Sequence, residues 1–348
     1  MPGCAVLREF QKLGGIELSH RKDTDYLSIS SRLRVLENRL LSKERMERMI
    51  EAKDLGEAVK VLAECGYGEP AALNNASIEQ MLGRARQKVF QDLSNAAPEP
   101  QMLQIFQVKY DYHNAKVLLK AKPMGEEPGR LLLEGGRYSV EQITEWFEQE
   151  DLQNATKVFA GAVAEAQTVL AETGDPQQAD LILDRAYYEE MGQLAKETGS
   201  QYMQGYVSLM VDIANLRAAV RTARMGKENE FLAKVLLDGG SISAKSLLSA
   251  KNGAVAELCK SGALRQVGEL ANQAASGSAS LTAFEKACDD ALMAYIATAR
   301  KIPFGEEVLI GYLCAREAEL TAARTILSGR LAGLDGDTIR ARLRATYV

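Results

Sequence analysis

At 348 residues, 46% of them hydrophobic, the chain is too long for one simple core and suits two or three compact units. Its 42 Lys and Arg against 47 Asp and Glu leave a net charge of −5, which argues against the strongly basic field of a dedicated nucleic-acid binder. Five cysteines (Cys4, Cys65, Cys259, Cys288, Cys314), odd in number and without metal-ligand spacing, argue against a disulfide framework and point to a reduced, cytosolic setting.

The N-terminal run MPGCAVLREFQKLGG lacks the apolar stretch of a secretory signal, and no segment approaches the length needed to span a bilayer. NRLL at 38–41 leads into Ser42, a residue suited to cap a helix because its side-chain oxygen can accept a bond from an otherwise unpaired amide. Met46, Met49 and Ile50 follow at helical spacing, and DLGEAVKVLA (54–63) continues the small head. GYGEP (66–70) marks a loop; SIEQ (77–80) reads as a capping box opening a longer helix.

After the AAPEP break at 96–100 comes KYDYHNAKVLLKAKPMG (109–125), with Asp111, Asn114 and Lys116 in a fixed frame, and then a loop at 122–129. The phrase LLEGGRYS opens at Leu132 and repeats the head: Ser139 as cap, Ile143, Trp146 and Phe147 at helical spacing, then DLQNATKVFA (151–160). DLILDRAYYEEMGQLAKE (180–197) is the next helix, its EEMGQLAKE portion reading as a solvated face. Met203, Val207, Met210, Ile213 and Val220 make one stripe of a long helix. That helix ends in MVDIANLRAAVRTARMG (210–226), which restates the frame as Asp212, Asn215 and Arg217.

LLDGGSIS opens a third head at Leu236, with Ser243 as its cap, and a weaker helix carrying Leu247 and Ala250 before Lys251. ASGSAS (275–280) is a loop, TAFE (282–285) a capping box, and EAELTAARTILSGR (317–330) a degenerate third frame with Glu319, Ala322 and Arg324. The repeat is therefore about 100 residues, a head followed by two longer helices. The expected architecture is all-α with three lobes, 1–128, 129–230 and 231–348.

Within the frame, Asp212 and Asn215 lie about 60° apart in helical projection and share a face, while Arg217 lies about 140° from Asp212. The i,i+5 spacing of Asp212 and Arg217 does not make a good i,i+3 or i,i+4 ion pair, so each of these two needs a partner on another helix or another protein. One reading has the Asp/Asn pair brace a neighbouring head; the other has Lys116, Arg217 and Arg324 line a surface made by three equivalent helices. Gly135, Gly136, Gly239 and Gly240 permit a positive φ or a tight bend before a capped helix, since no P-loop or dinucleotide pattern surrounds them. The two histidines, His20 and His113, fall in no HExxH, and there is no G-x-S-x-G or CxxC. No catalytic, cofactor or metal site is expected.

DTDYLSISSRLRVLENRLLSKERMERMIEAKDL, KYDYHNAKVLLKAK, DIANLRAAVRTARMGK, LLDGGSIS and FGEEVLIGYLCAREAELTAARTILSGRLAGL together resemble the C subunit of the A/V-type ATP synthase, the family that includes the d subunit of eukaryotic V-ATPase. The likeness runs from about Asp23 onward. It implies a funnel-shaped, pseudo-threefold helical protein without catalytic residues, peripheral on the cytoplasmic face of the membrane. It would join the central-stalk subunits D and F to the membrane proteolipid ring and turn with both, in proton or sodium transport. Ala322 departs from the family pattern, where an Asn is usual.

Two other classes compete. A general α-solenoid adaptor binding a helical partner would use repeats of 20–45 residues, shorter than these. A helical enzyme with a site at a lobe junction would turn over a common nucleotide on its own.

Overall fold

The computed structural model describes residues 22–125, 128–129, 131–250, 255–259 and 262–348; Cys4, His20 and Lys251 lie outside them. The described residues form helices and contain no strand. In chain order the α-helices are α1 (Leu27–Glu37), α2 (Lys43–Glu51), α3 (Leu55–Glu64), α4 (Asn75–Ala96), α5 (Gln104–Met124), α6 (Val140–Gln149), α7 (Lys157–Thr173) and α8 (Pro176–Glu197). They continue as α9 (Gln201–Arg224), α10 (Asn229–Val235), α11 (Ala244–Ser249), α12 (Val255–Leu258), α13 (Arg265–Ser276), α14 (Leu281–Ile296), α15 (Glu306–Leu331) and α16 (Gly336–Arg342). None is long and apolar enough to cross a membrane.

Local chemistry sets the starts of the head helices. Ser42, Ser139 and Ser243 are extended and accept the amides of Arg45, Gln142 and Ser246. Gln142 returns the bond to Ser139 and completes a capping box. The longer helices begin earlier than SIEQ and TAFE suggest. Asn74 caps α4 through the amide of Ser77, and Ser280 caps α14 through that of Ala283. Asn74 and Ser280 are extended whereas Ser77 and Thr282 are already helical, so the caps precede the motifs.

Three apolar clusters carry the fold. In the first, α5, α7, α8 and the start of α9 pack around Phe159, Val163, Leu183 and Met203, joined by α1 and the first half of α15. In the second, α9 packs with α10, α11, α13 and α14 around Leu216, Phe284 and Cys288. The third unites distant sequence: Met49, Ile50, Leu62, Ile78 and Leu82 of α2–α4 bury against Leu320, Ala323, Ile326 and Leu327 of α15 and Ile339 of α16.

The helix pairings follow one plan. Head α6 packs on α5 and head α2–α3 on α15, while in the third unit α10, which packs on the Ser243-capped head α11, rests on α9. In each case another helix (α8, α14 or α4) packs along the same long helix. Taken in the chain order of the expected lobes, every long helix grips the head of the lobe that follows, and the last grips the first.

Candidate functional site

The Asp/Asn frame is where each grip is made. Asp111 is fully buried and accepts from the amides of Arg137 and Tyr138 and from Arg137 Nε, the last at 2.6 Å. Asn114 accepts the Leu133 amide at 2.8 Å and donates to the Leu133 carbonyl at 2.9 Å. One long helix later the pattern recurs. Asp212 accepts the amides of Ser241 and Ile242 and the Ser241 hydroxyl, and Asn215 exchanges both bonds with Leu237. A side-chain amide that pairs with both the N–H and the C=O of one residue acts as an extra backbone strand would, and satisfies those backbone groups where the chain is not helical.

The repeated GG phrase has two physical jobs. Gly135 and Gly239 hold φ of 106° and 104°, the left-handed region that a side chain disfavours. A Cβ on Gly136 would strike Asp111 Oδ1, and one on Gly240 would strike Asp212 Oδ1. The second glycine therefore lets the carboxylate reach the turn. In the last unit the head at 38–42 has no glycine pair, and the long helix carries Glu319, one methylene longer. Its Oε1 accepts the Leu41 amide at 2.9 Å. Where Asn114 and Asn215 supply an amide, Ala322 offers only a methyl, and Arg330 instead donates to the carbonyls of Ile50 and Ala52.

The three bases of the frame each meet an acid on a helix packed alongside. Lys116 Nζ lies 2.5 Å from Asp184 of α8. Arg217 pairs with Glu285 and Asp289 of α14 at 2.5 and 2.6 Å. Arg324 pairs with Glu79 of α4 at 2.6 Å. All three pairs are part-exposed, so each clasps two helices while leaving charge at the surface.

Two groups escaped the sequence reading. Glu190, assigned above to a solvated face, is 4% exposed and takes bonds from Arg137, Tyr112 and Thr156. The correction has a readable cause: Leu183, Ala186 and Glu190 share a helical face, so a carboxylate sits in a core position and needs the Arg137 guanidinium. Glu317 likewise follows Ile310 and Leu313 on the buried face of α15; it pairs with Lys109 at 2.6 Å and takes the Tyr110 hydroxyl. The cations Lys109 and Arg86 hold its carboxyl below the usual range against the opposing effect of burial.

None of the four described cysteines is set up for nucleophilic chemistry. Cys65, Cys259, Cys288 and Cys314 are buried, and burial pushes the thiols up, to about 11 for Cys259 and about 12 for Cys288 and Cys314. A reactive cysteine requires the opposite shift. His113 is exposed and its ring meets the Leu131 carbonyl.

The long helices α5, α9 and α15 converge on one cavity of about 380 Å³. Phe106 and Lys109 come from α5, Tyr206, Met210 and Arg217 from α9, and Cys314, Glu317 and Ala322 from α15. Its walls are apolar with a charged margin, a composition suited to gripping a protein surface. Arg217 lines it; Lys116 and Arg324 do not.

A family model describing the ATP synthase (C/AC39) subunit matches residues 29–342. The C subunit of the V-type sodium ATPase of Enterococcus hirae is 25% identical over 326 residues, covering 93% of this chain and 99% of that one. The C subunit of the A-type ATP synthase of Methanocaldococcus jannaschii is 25% identical across 91% of this chain and 86% of its own. The C subunit of the V-type ATP synthase of Thermus thermophilus is 27% identical across 58% and 64%. With a helical body, three glycine- or glutamate-mediated grips and a match that spans nearly all described residues, the chain belongs to the ATP synthase (C/AC39) subunit family, which supplies the C subunit of the A/V-type ATPases.

Proposed function

We propose that the chain is a non-catalytic connector of the rotary complex, seated between the central-stalk subunits D and F and the membrane proteolipid ring. Three lobes related by approximate threefold symmetry form a collar on the cytoplasmic side, and the shaft seats in its centre. The observation that carries this reading is the convergence of α5, α9 and α15 on a common cavity with apolar walls and a charged margin. A coupling must not yield under torque, and the grips support that: each ties a long helix to a head by buried polar bonds, and packed interiors do not deform continuously.

Of the three bases at equivalent places on the long helices, Arg217 lines the cavity and is the proposed rim charge for the shaft; Lys116 and Arg324 lie outside that lining and are proposed as partner-facing charges beyond it. The complex moves protons or sodium ions, and that choice is made in the ring. Removing the chain from the purified complex is expected to leave ATP hydrolysis by the soluble head and to abolish ion pumping into vesicles. Pumping that persists at the original rate without the chain would overturn the proposal.

A further inference from the structure

The charges that line the central cavity do not balance. Among the described residues, Lys109, Arg217, Arg342 and Arg344 stand against Asp289 and Glu317, a surplus of two cations in a chain whose net charge is −5. The charged groups in contact with this lining leave the surplus in place. Arg86 lies 3.5 Å from Glu317 and adds a cation, whereas Glu285 lies 2.5 Å from Arg217 and adds an anion. Lys286 and Asp290, which bond to Leu343 and Ala345, cancel each other. Each lining acid already serves two cations: Asp289 holds Arg217 and Arg344 at 2.6 and 2.7 Å, and Glu317 holds Lys109 and Arg86. The Arg342 side chain is exposed and meets no acid among the described residues.

The lining is also graded. α5, α9 and α15 share the first apolar cluster through their first halves, whereas the second halves of α9 and α15 belong to the other two clusters. Along each helix, apolar lining precedes charged lining: Phe106 then Lys109, Met210 then Arg217, Cys314 then Glu317. Those steps of three to seven residues set the charges about 5–10 Å along the helix from the apolar floor. A cleft of this kind focuses cationic potential above an apolar base.

On the basis of the socket reading, we propose that the shaft enters with an acidic band: its tip is apolar, and one or two turns behind the tip it carries Asp or Glu side chains. The tip covers the floor, and the carboxylates take the donors left over by Asp289 and Glu317, those of Arg342 above all. A basic tip would instead meet like charge on Lys109, Arg342 and Arg344.

Binding of the D–F pair to the full chain, measured by titration calorimetry at about 50 mM and about 500 mM salt, tests the charge of the tip. Thr321 lines the cavity, is exposed and carries no charge. Thr321→Lys and Thr321→Glu therefore move the field in opposite directions at one helix position that suits both residues. At low salt Thr321→Lys is expected to bind about threefold more tightly than the wild-type chain, and Thr321→Glu and Arg342→Gln about threefold more weakly. The differences should close at high salt. The reverse order, or three folded variants that match the wild-type chain, overturns the acidic band while leaving the socket intact. If both Thr321 variants lose binding through bulk, Arg342→Gln decides, and affinity that is unchanged or raised in that variant overturns the band. Failure of D–F to bind the folded wild-type chain overturns the socket reading and the band with it.

Discussion

Gly136 and Gly240 show how a missing methyl group can be a positive requirement. Their absent Cβ atoms make room for Asp111 and Asp212, so Gly240→Ala should force the Asp212 carboxylate off the Ser241 and Ile242 amides. The expected loss is about 1–3 kcal/mol in urea unfolding. Gly192, inside α8 with open space where a methyl group would go, provides the control: Gly192→Ala should gain about 0.5–1 kcal/mol from helix propensity alone. Asp111 gives a pH signature as well. Burial raises its pKa from 3.8 to about 6, against the lowering by Arg137 and the backbone amides. Because the folded state then holds a proton that the unfolded state releases, this group's contribution to stability is full below about pH 4 and is lost as pH rises through 6. The difference in unfolding free energy between the wild-type chain and Asp111→Asn should fall by on the order of 2–3 kcal/mol as pH rises from 4 to just above 6, read from denaturant titrations at a series of pH values.

Among elements, the same position of the repeated turn carries different chemistry in two units. Arg137 and Ser241 both serve the frame carboxylate, but Arg137 also neutralises Glu190 whereas Ser241 brings no charge. Arg137→Met should therefore leave two buried carboxylates without that cation and cost about 3–5 kcal/mol, whereas Ser241→Ala should cost about 1 kcal/mol. Thermal melts of the two variants side by side would separate them. The capped head helices, the long helices and the spacing of the frame were legible in the sequence because they rest on local rules, side-chain caps and periodicity. The starts of α4 and α14 were less so, since Asn74 and Ser280 compete with nearby Ser77 and Thr282 and only the backbone angles decide between them. Glu190 was misread because two adjacent glutamates look solvated until the apolar stripe beneath one of them is counted. The destination of Lys116, Arg217 and Arg324 was half legible: helical geometry ruled out the intrahelical Asp as partner, but only the fold names Asp184, Asp289 and Glu79.

Over the whole molecule, a sequence period fixes the repeat but not the point at which one unit hands over to the next. The contacts supply that phase, and it crosses the chain: α2–α4 are completed by α15 and α16. Leu327→Ala, in α15, should cost about 2–5 kcal/mol and speed hydrogen exchange in residues 43–64, far away along the sequence. Unchanged exchange there would mean that the first head is stable without its partner helix. The central cavity was legible only as the expectation that the three equivalent long helices share a surface; which residues line it was not, because no local pattern announces where distant helices meet.

The grip of Glu319 on Leu41 also sets a timetable for biogenesis. On the ribosome, the apolar side chains of α2 and α3 emerge early and wait, uncovered, until residues 306–331 have been translated. Contacts that close so large a loop form slowly, and during that interval the exposed surface is open to aggregation or to a chaperone's hold. Translation stalled shortly before residue 306 should therefore yield a nascent chain in which residues 43–96 remain sensitive to protease, even though every one of them has already left the exit tunnel.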